Sequence, residues 1–125
     1  MIFDTDVLIW CFQGNKRAAA VIDATKEREI SVVNYMEILQ GARDKKELRL
    51  IRSFLKDLGF KMLPLGENIG ARACVYIEEY ALKSGLKMAD ALLAATAVES
   101  QSTLCSGNAR HYKVISELDL KTFRP

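Results

Sequence analysis

Four short stretches of this chain carry residues able to do chemistry. Asp4 and Asp6 follow the apolar run MIF, and Asn34 and Glu37 follow EISVV. Asp90 sits in KMAD at the head of an Ala-rich run, and Ser106, Asn108 and His111 fall in TLCSGNARHY. Each has an ordinary reading as a helix cap. Asn34 with Glu37 three residues on fits a capping box, Asp90 suits the positive end of a helix dipole, Asp4 or Asp6 could cap a helix starting near Val7, and Asn108 could cap a last one. Capping needs one polar residue per helix, however, and the Asp4–Asp6 pair is one carboxylate more than that. Several carboxylates within a few ångströms cannot all stay ionised unless some pKa values rise or a cation neutralises them. Hard oxygen donors select Mg²⁺ or Mn²⁺, and with His111 the only histidine a His-rich zinc site is excluded. A carboxylate-bound Mg²⁺ acidifies a bound water and aims it at a phosphodiester, and two ions roughly 3.5–4 Å apart could share the work. The pattern points to nuclease-type chemistry.

Elements of two kinds must position these residues. β-rich runs occur at MIF (1–3), EISVV (29–33), FKMLPL (60–65), TLCS (103–106) and LDLKTF (118–123). Leu48, Ile51, Leu55 and Leu58 recur at helical spacing, as do Ile69, Ala73, Tyr76, Ile77 and Tyr80 in a segment that Gly85 should end. MADALLAATAVESQ, from Met88 to Gln101, predicts a buried helix. Strands separated by helices imply crossovers, hence an α/β fold of three layers with a mostly parallel sheet. Sites in such folds form at the carboxyl ends of the strands, where all the residues above are expected.

At 125 residues, with no repeat, no low-complexity segment and only two prolines, the expectation is one domain over residues 1–125. No apolar stretch reaches membrane-spanning length and no leader-like segment is evident, so a cytoplasmic protein is expected. Cys11, Cys74 and Cys105 lack metal-ligand spacing and read as reduced thiols. A net charge of +2 gives no bulk field for nucleic acid, so local basic clusters must make any such contact.

DTDVLIW, NYMEIL, MADALLAATA and TLCSGNARHY resemble, in order and across nearly the whole chain, the four signature blocks of the PIN domain, and more narrowly the VapC-type toxins of toxin–antitoxin pairs. The resemblance implies a metal-dependent endoribonuclease that cuts structured RNA, often tRNA or rRNA, a partner antitoxin that blocks it, and a homodimer. By motif position Asp4, Glu37 and Asp90 match the first three acids, as metal ligands or water-activating groups. Asn108 falls at the fourth acidic position, where an amide brings no charge, and Asp6 lies at a position that varies in the family. Ser106 matches a small hydroxyl residue that orients its neighbours.

Two other readings stand beside this one. An apolar strand ending in Asp-x-Asp also resembles the haloacid-dehalogenase phosphatases, but Val7-Leu8 follows the pair where those enzymes have Gly-Thr. A non-catalytic module that keeps the fold would suit the amide at Asn108. Holding RNA requires cations near the acids, for which Lys87, Arg110 and His111 are the candidates. Lys45, Lys46, Arg49 and Arg52 form a second basic stretch that could equally be a solvated helix face. Trp10, Phe12, Tyr35, Ile38 and Leu39 could line a groove for an antitoxin helix.

Overall fold

Five short strands, β1 (Ile2–Phe3), β2 (Glu29–Ser31), β3 (Lys61–Leu63), β4 (Leu104–Ser106) and β5 (Leu120–Thr122), form one sheet in the order β3-β2-β1-β4-β5 in a computed structural model that describes residues 1–125. Every pairing is parallel, so the expected mostly parallel sheet is wholly parallel. Seven helices connect and cover the strands: α1 (Thr5–Phe12), α2 (Lys16–Ala24), α3 (Val32–Gln40), α4 (Lys45–Asp57), α5 (Glu67–Ser84), α6 (Met88–Glu99) and α7 (Ala109–Tyr112). Alternate strand residues serve opposite faces, as the pleat requires. Ile2 and Leu104 enter a core built with α5 and α6, whereas Phe3, Ile30 and Cys105 enter a second core with Val7, Leu8, Ile22, Ile38 and Leu55. No helix is long and apolar enough to cross a membrane.

Local chemistry sets the element ends. The EISVV run stops being a strand at Ser31, and Val32 and Val33 are helical despite their β-branched side chains. Ser31 is at once the last strand residue and the N-cap of α3, its Oγ accepting from the Asn34 amide N–H at 3.0 Å. Such a cap is worth about 1 kcal/mol and outweighs a weak strand propensity. The cap of α3 is therefore Ser31, not Asn34. Gly14, at φ +87°, separates α1 from α2, and Asn15 caps α2, so Lys16 and Arg17 lie in its first turn. Of the apolar stripe, Ile51 and Leu55 in α4 and Leu58 at its C-cap pack on the second core. Gly85, left-handed at φ +70°, ends α5 as its position predicts, and α6 buries Ala91, Leu93, Ala94, Ala95 and Ala97.

Candidate active site at the carboxyl edge of the sheet

The strand exits of β1, β2 and β4 and the first turn of α6 bring Asp4, Asp6, Glu37, Asp90 and Asn108 to the wall of one cavity of about 250 Å³, with Tyr112 beside them. No lysine or arginine side chain forms an ion pair with any of the four acids.

Asp4 is the hub. It caps α1, with Oδ1 accepting from the Thr5 amide at 2.8 Å and from Asn34 Nδ2 at 3.2 Å. Its Oδ2 accepts from Ser106 Oγ at 2.7 Å, and Ser106 Oγ in turn accepts from the Asn108 amide at 2.9 Å. The Tyr112 hydroxyl lies 3.2 Å from both Asp4 Oδ2 and Asp90 Oδ1. A phenol has one proton, so it donates to one carboxylate at a time and keeps the other from approaching. Burial raises the Asp4 pKa against these hydrogen bonds, and the Asp90 charge raises it further. The Tyr112 phenol is pushed well up by burial and by both carboxylates, so it stays protonated.

Asn34 does more than a cap would. At 1% exposure it accepts from Ser31 Oγ at 2.7 Å and donates through Nδ2 to Thr5 Oγ1 at 2.8 Å, with Asp4 Oδ1 and Glu37 Oε1 at 3.2 and 3.4 Å. Thr5 Oγ1 donates to Glu37 Oε1 at 3.0 Å. Asn34 and Thr5 thus tether Asp4 to Glu37 across the β1–β2 boundary.

Asp6 Oδ2 accepts from the Gly107 amide at 3.0 Å, whereas Asp6 Oδ1 is buried without any partner. Burial and the Asp4 charge push the Asp6 pKa up to about 6. Gly107 is required here: a Cβ would lie 2.7 Å from the Trp10 ring and 2.8 Å from Asp6 Oδ2. Asp90 Oδ2 accepts from the Lys87 amide at 3.3 Å, with His111 Nδ1 also at 3.3 Å. Asn108 occupies the N-cap position of α7 but makes no capping bond; its Nδ2 lies 2.9 Å from His111 Nδ1. One ring nitrogen cannot accept from that amide and donate to Asp90 together. With its proton on Nδ1 the ring serves Asp90 and the Asn108 amide turns its oxygen inward.

Of the residues expected to meet RNA, His111 touches Asp90, Lys87 reaches it through its backbone, and Arg110 is exposed with no bond to an acid. Of those expected to line a partner groove, Ile38 is core at 4% exposure. Trp10 packs on Phe123 with ring centroids 5.5 Å apart, and Phe12 is exposed against Phe54. Thr5 and Tyr112 escaped the sequence reading. The nearest signal was the aromatic ending TLCSGNARHY, which spacing alone cannot tell from core.

As the side chains stand, no three of them form a ready metal cage. The chemistry of the set nevertheless fits a hard divalent cation: all-oxygen donors, uncompensated acids and an orphaned carboxylate oxygen on Asp6.

A parallel α/β domain with acids gathered at the carboxyl edge defines the class. The PIN domain family model matches residues 1–116, and the chain belongs to that family, whose members are generally nucleases. No curated protein matches the sequence. Among solved structures, the chain is similar to a chain of a toxin–antitoxin complex from Klebsiella pneumoniae (TM-score 0.82, 27% identity, 97% of this chain and 95% of that one). It is also similar to VapBC2 from Rickettsia felis bound to a promoter DNA fragment (0.81, 18%, 99% and 100%) and to VapBC-1 from nontypeable Haemophilus influenzae (0.78, 19%, 98% and 98%). The last two likenesses establish the fold.

Proposed function

We propose that this PIN domain is a Mg²⁺- or Mn²⁺-dependent endoribonuclease, the toxin of a VapBC-type pair, acting in the cytoplasm as a single-domain homodimer held in check by an antitoxin. The observation that carries the reading is the gathering of Asp4, Asp6, Glu37 and Asp90 around one cavity with no lysine or arginine to neutralise them. The family match supports nuclease action, and the toxin–antitoxin identity of the Klebsiella relative supports the role.

Asp4, Glu37 and Asp90 would hold the ion, with Asp6 as a further oxygen donor. When bound, the ion supplies an acidified water and charge to stabilise the departing oxygen. The chain's own groups prepare that event. Ser106 and Asn34 fix the rotamer of Asp4, Thr5 orients Glu37, and Tyr112 spaces Asp4 from Asp90. Asn108 presents an amide toward the cavity for a water or a ribose hydroxyl, and the phosphate would fall to His111 and Lys87, which bond to Asp90 through ring and backbone, and to the exposed Arg110.

The test is cleavage of total RNA by the partner-free protein with Mg²⁺ or Mn²⁺, with EDTA, and as Asp90→Asn, which keeps an oxygen for the Lys87 amide and removes the charge. Cleavage lost in EDTA and in the folded variant supports the reading. Cleavage surviving both defeats it, and RNA binding without any cleavage points to a non-catalytic module.

A further inference from the structure

A second concavity has about twice the volume of the acid cavity. It is a groove of about 530 Å³ between α4 and the β2–β3 edge of the sheet. Its rim is basic: Arg49, Arg52 and Lys56 recur at spacings of three and four, so one face of α4 carries three exposed cations, none in an ion pair. Its remaining lining is largely apolar and includes Tyr35, Phe60 and Met62. Phe60 is braced by Phe3 and Phe54, with ring centroids 5.9 and 6.4 Å away, and Met62 is 48% exposed on the outermost strand.

Unpaired cations beside an aromatic lining match a ligand that alternates anionic groups with flat apolar ones. Single-stranded nucleic acid has that form: phosphates meet the arginines and lysine, while a base stacks on the rings. The groove is also next to the acids. Helix α3 is the wall between the two, for Asn34 and Glu37 line the acid cavity and Tyr35 lines the groove. The two hollows differ in charge as a nuclease needs, with acids where the bond is cut and cations where the strand is held.

We propose that the α4 groove holds an unpaired segment of the same RNA that is cut at the acid cavity, with its phosphates on Arg49, Arg52 and Lys56 and a base against Tyr35 and Phe60. The nature of the ligand rests on the ribonuclease reading. The groove also sorts the basic stretch found in the sequence: Arg49 and Arg52 line it, and Lys45 and Lys46 do not.

The experiment is fluorescence anisotropy with a labelled oligouridine of about 12 nucleotides, a length one groove can track, in EDTA so that nothing is cut. Arg49→Ala/Arg52→Ala is expected to weaken binding about tenfold and to lower the slope of log affinity against log salt by about 1.4, the share of two phosphates on a single strand. Lys45→Ala/Lys46→Ala removes equal charge from the same helix and should stay within about twofold of wild type. Equal losses in both double variants would mean a diffuse field and overturn the groove. So would undiminished oligouridine binding by Arg49→Ala/Arg52→Ala; if that variant instead fails to bind the purified antitoxin, the occupant is protein. A wild-type protein that binds oligouridine through the groove but cuts no RNA with Mn²⁺ defeats the ribonuclease reading and leaves the groove standing. Circular dichroism of each variant confirms the fold, which these exposed side chains do not support.

Discussion

Helix α6 has an acid at each end, and the two are in opposite electrical company. At its last residue, Glu99 Oε2 accepts from Arg72 Nε and Nη2 at 3.1 and 2.9 Å, and Arg72 Nη1 donates to Glu117 at 2.8 Å. Tyr76 donates to the same Glu117. In the first turn, about 14 Å away along the helix, Asp90 shares the Tyr112 phenol with Asp4 and has only the His111 ring as a candidate cation. The paired end ties α5 to α6 and to the segment before β5, so its charges serve the fold. The unpaired end costs folding free energy, since charges there lose water and gain no counterion. Uncompensated acids kept in a cavity are where a ligand of opposite charge does its binding.

The largest expected contrast is in activity. Asp90→Asn should lower RNA cleavage by about 10²–10⁴-fold, whereas Arg72→Met should leave it within about twofold; equal losses would erase the difference between the two ends. Tyr112→Phe tests the unpaired end on its own terms. Without the shared phenol proton, Mn²⁺ affinity followed by electron paramagnetic resonance should fall about tenfold, and an unchanged affinity would reduce Tyr112 to packing.

The pH dependence sharpens the comparison further. Asp6 has its pKa pushed up to about 6 by burial and by Asp4, so the folded state binds a proton that the unfolded chain releases near 3.8. Its contribution is fully present below that value and is lost as pH rises through 6. In EDTA, Asp6→Asn should therefore be more stable than wild type at pH 7 by about 1 kcal/mol, allowing for solvent screening, and the gap should close toward pH 4. Denaturant titrations across that range measure it.

Glu117 runs the other way. The Tyr76 hydrogen bond, helped by Arg72, lowers its pKa, so its contribution is present above the unfolded value and is lost as pH falls through the folded one. Arg72→Met should cost about 1 kcal/mol at pH 7, and that cost should shrink below the ordinary carboxylate range. A cost that does not change with pH would mean the methylene stem of Arg72, not its charge, matters at this end.

The same contrast separates what the sequence makes legible from what it hides. The buried strands β1, β2 and β4 and the Ala-rich α6 are apolar runs that composition displays directly, and the acids fall at strand exits because that is where such a sheet opens. Element ends were harder. Val32 and Val33 look like strand, and only the cap geometry of Ser31 turns them into helix. Asn34 looked like that cap because local rules see three or four residues, whereas its bonds to Asp4 and Thr5 span 30 and 29 positions. Tyr112 was hidden for the same reason, its partner Asp4 lying 108 positions away. The groove along α4 escaped because alternating basic and apolar residues describe any amphipathic helix; only the placement of Tyr35, Phe60 and Met62 beside Arg49 and Arg52 sets it apart.

The pairing of β1 with β4 has a consequence in time. Ile2 lies in register with Leu104 and Phe3 with Cys105, so one edge of the first strand is completed by a strand made about a hundred residues later. Bringing such distant partners together is slow, whereas the other neighbour of β1, β2, is only 27 residues away through Ile2 and Glu29. While the chain is being synthesised, Asp4 exists without Ser106, Tyr112 or Asp90 beside it. The wiring of the sheet therefore sets an order: Asp4 and Glu37 share partners early in the chain, but the complete set of acids closes only with the segment through Tyr112, so a growing chain carries no finished site.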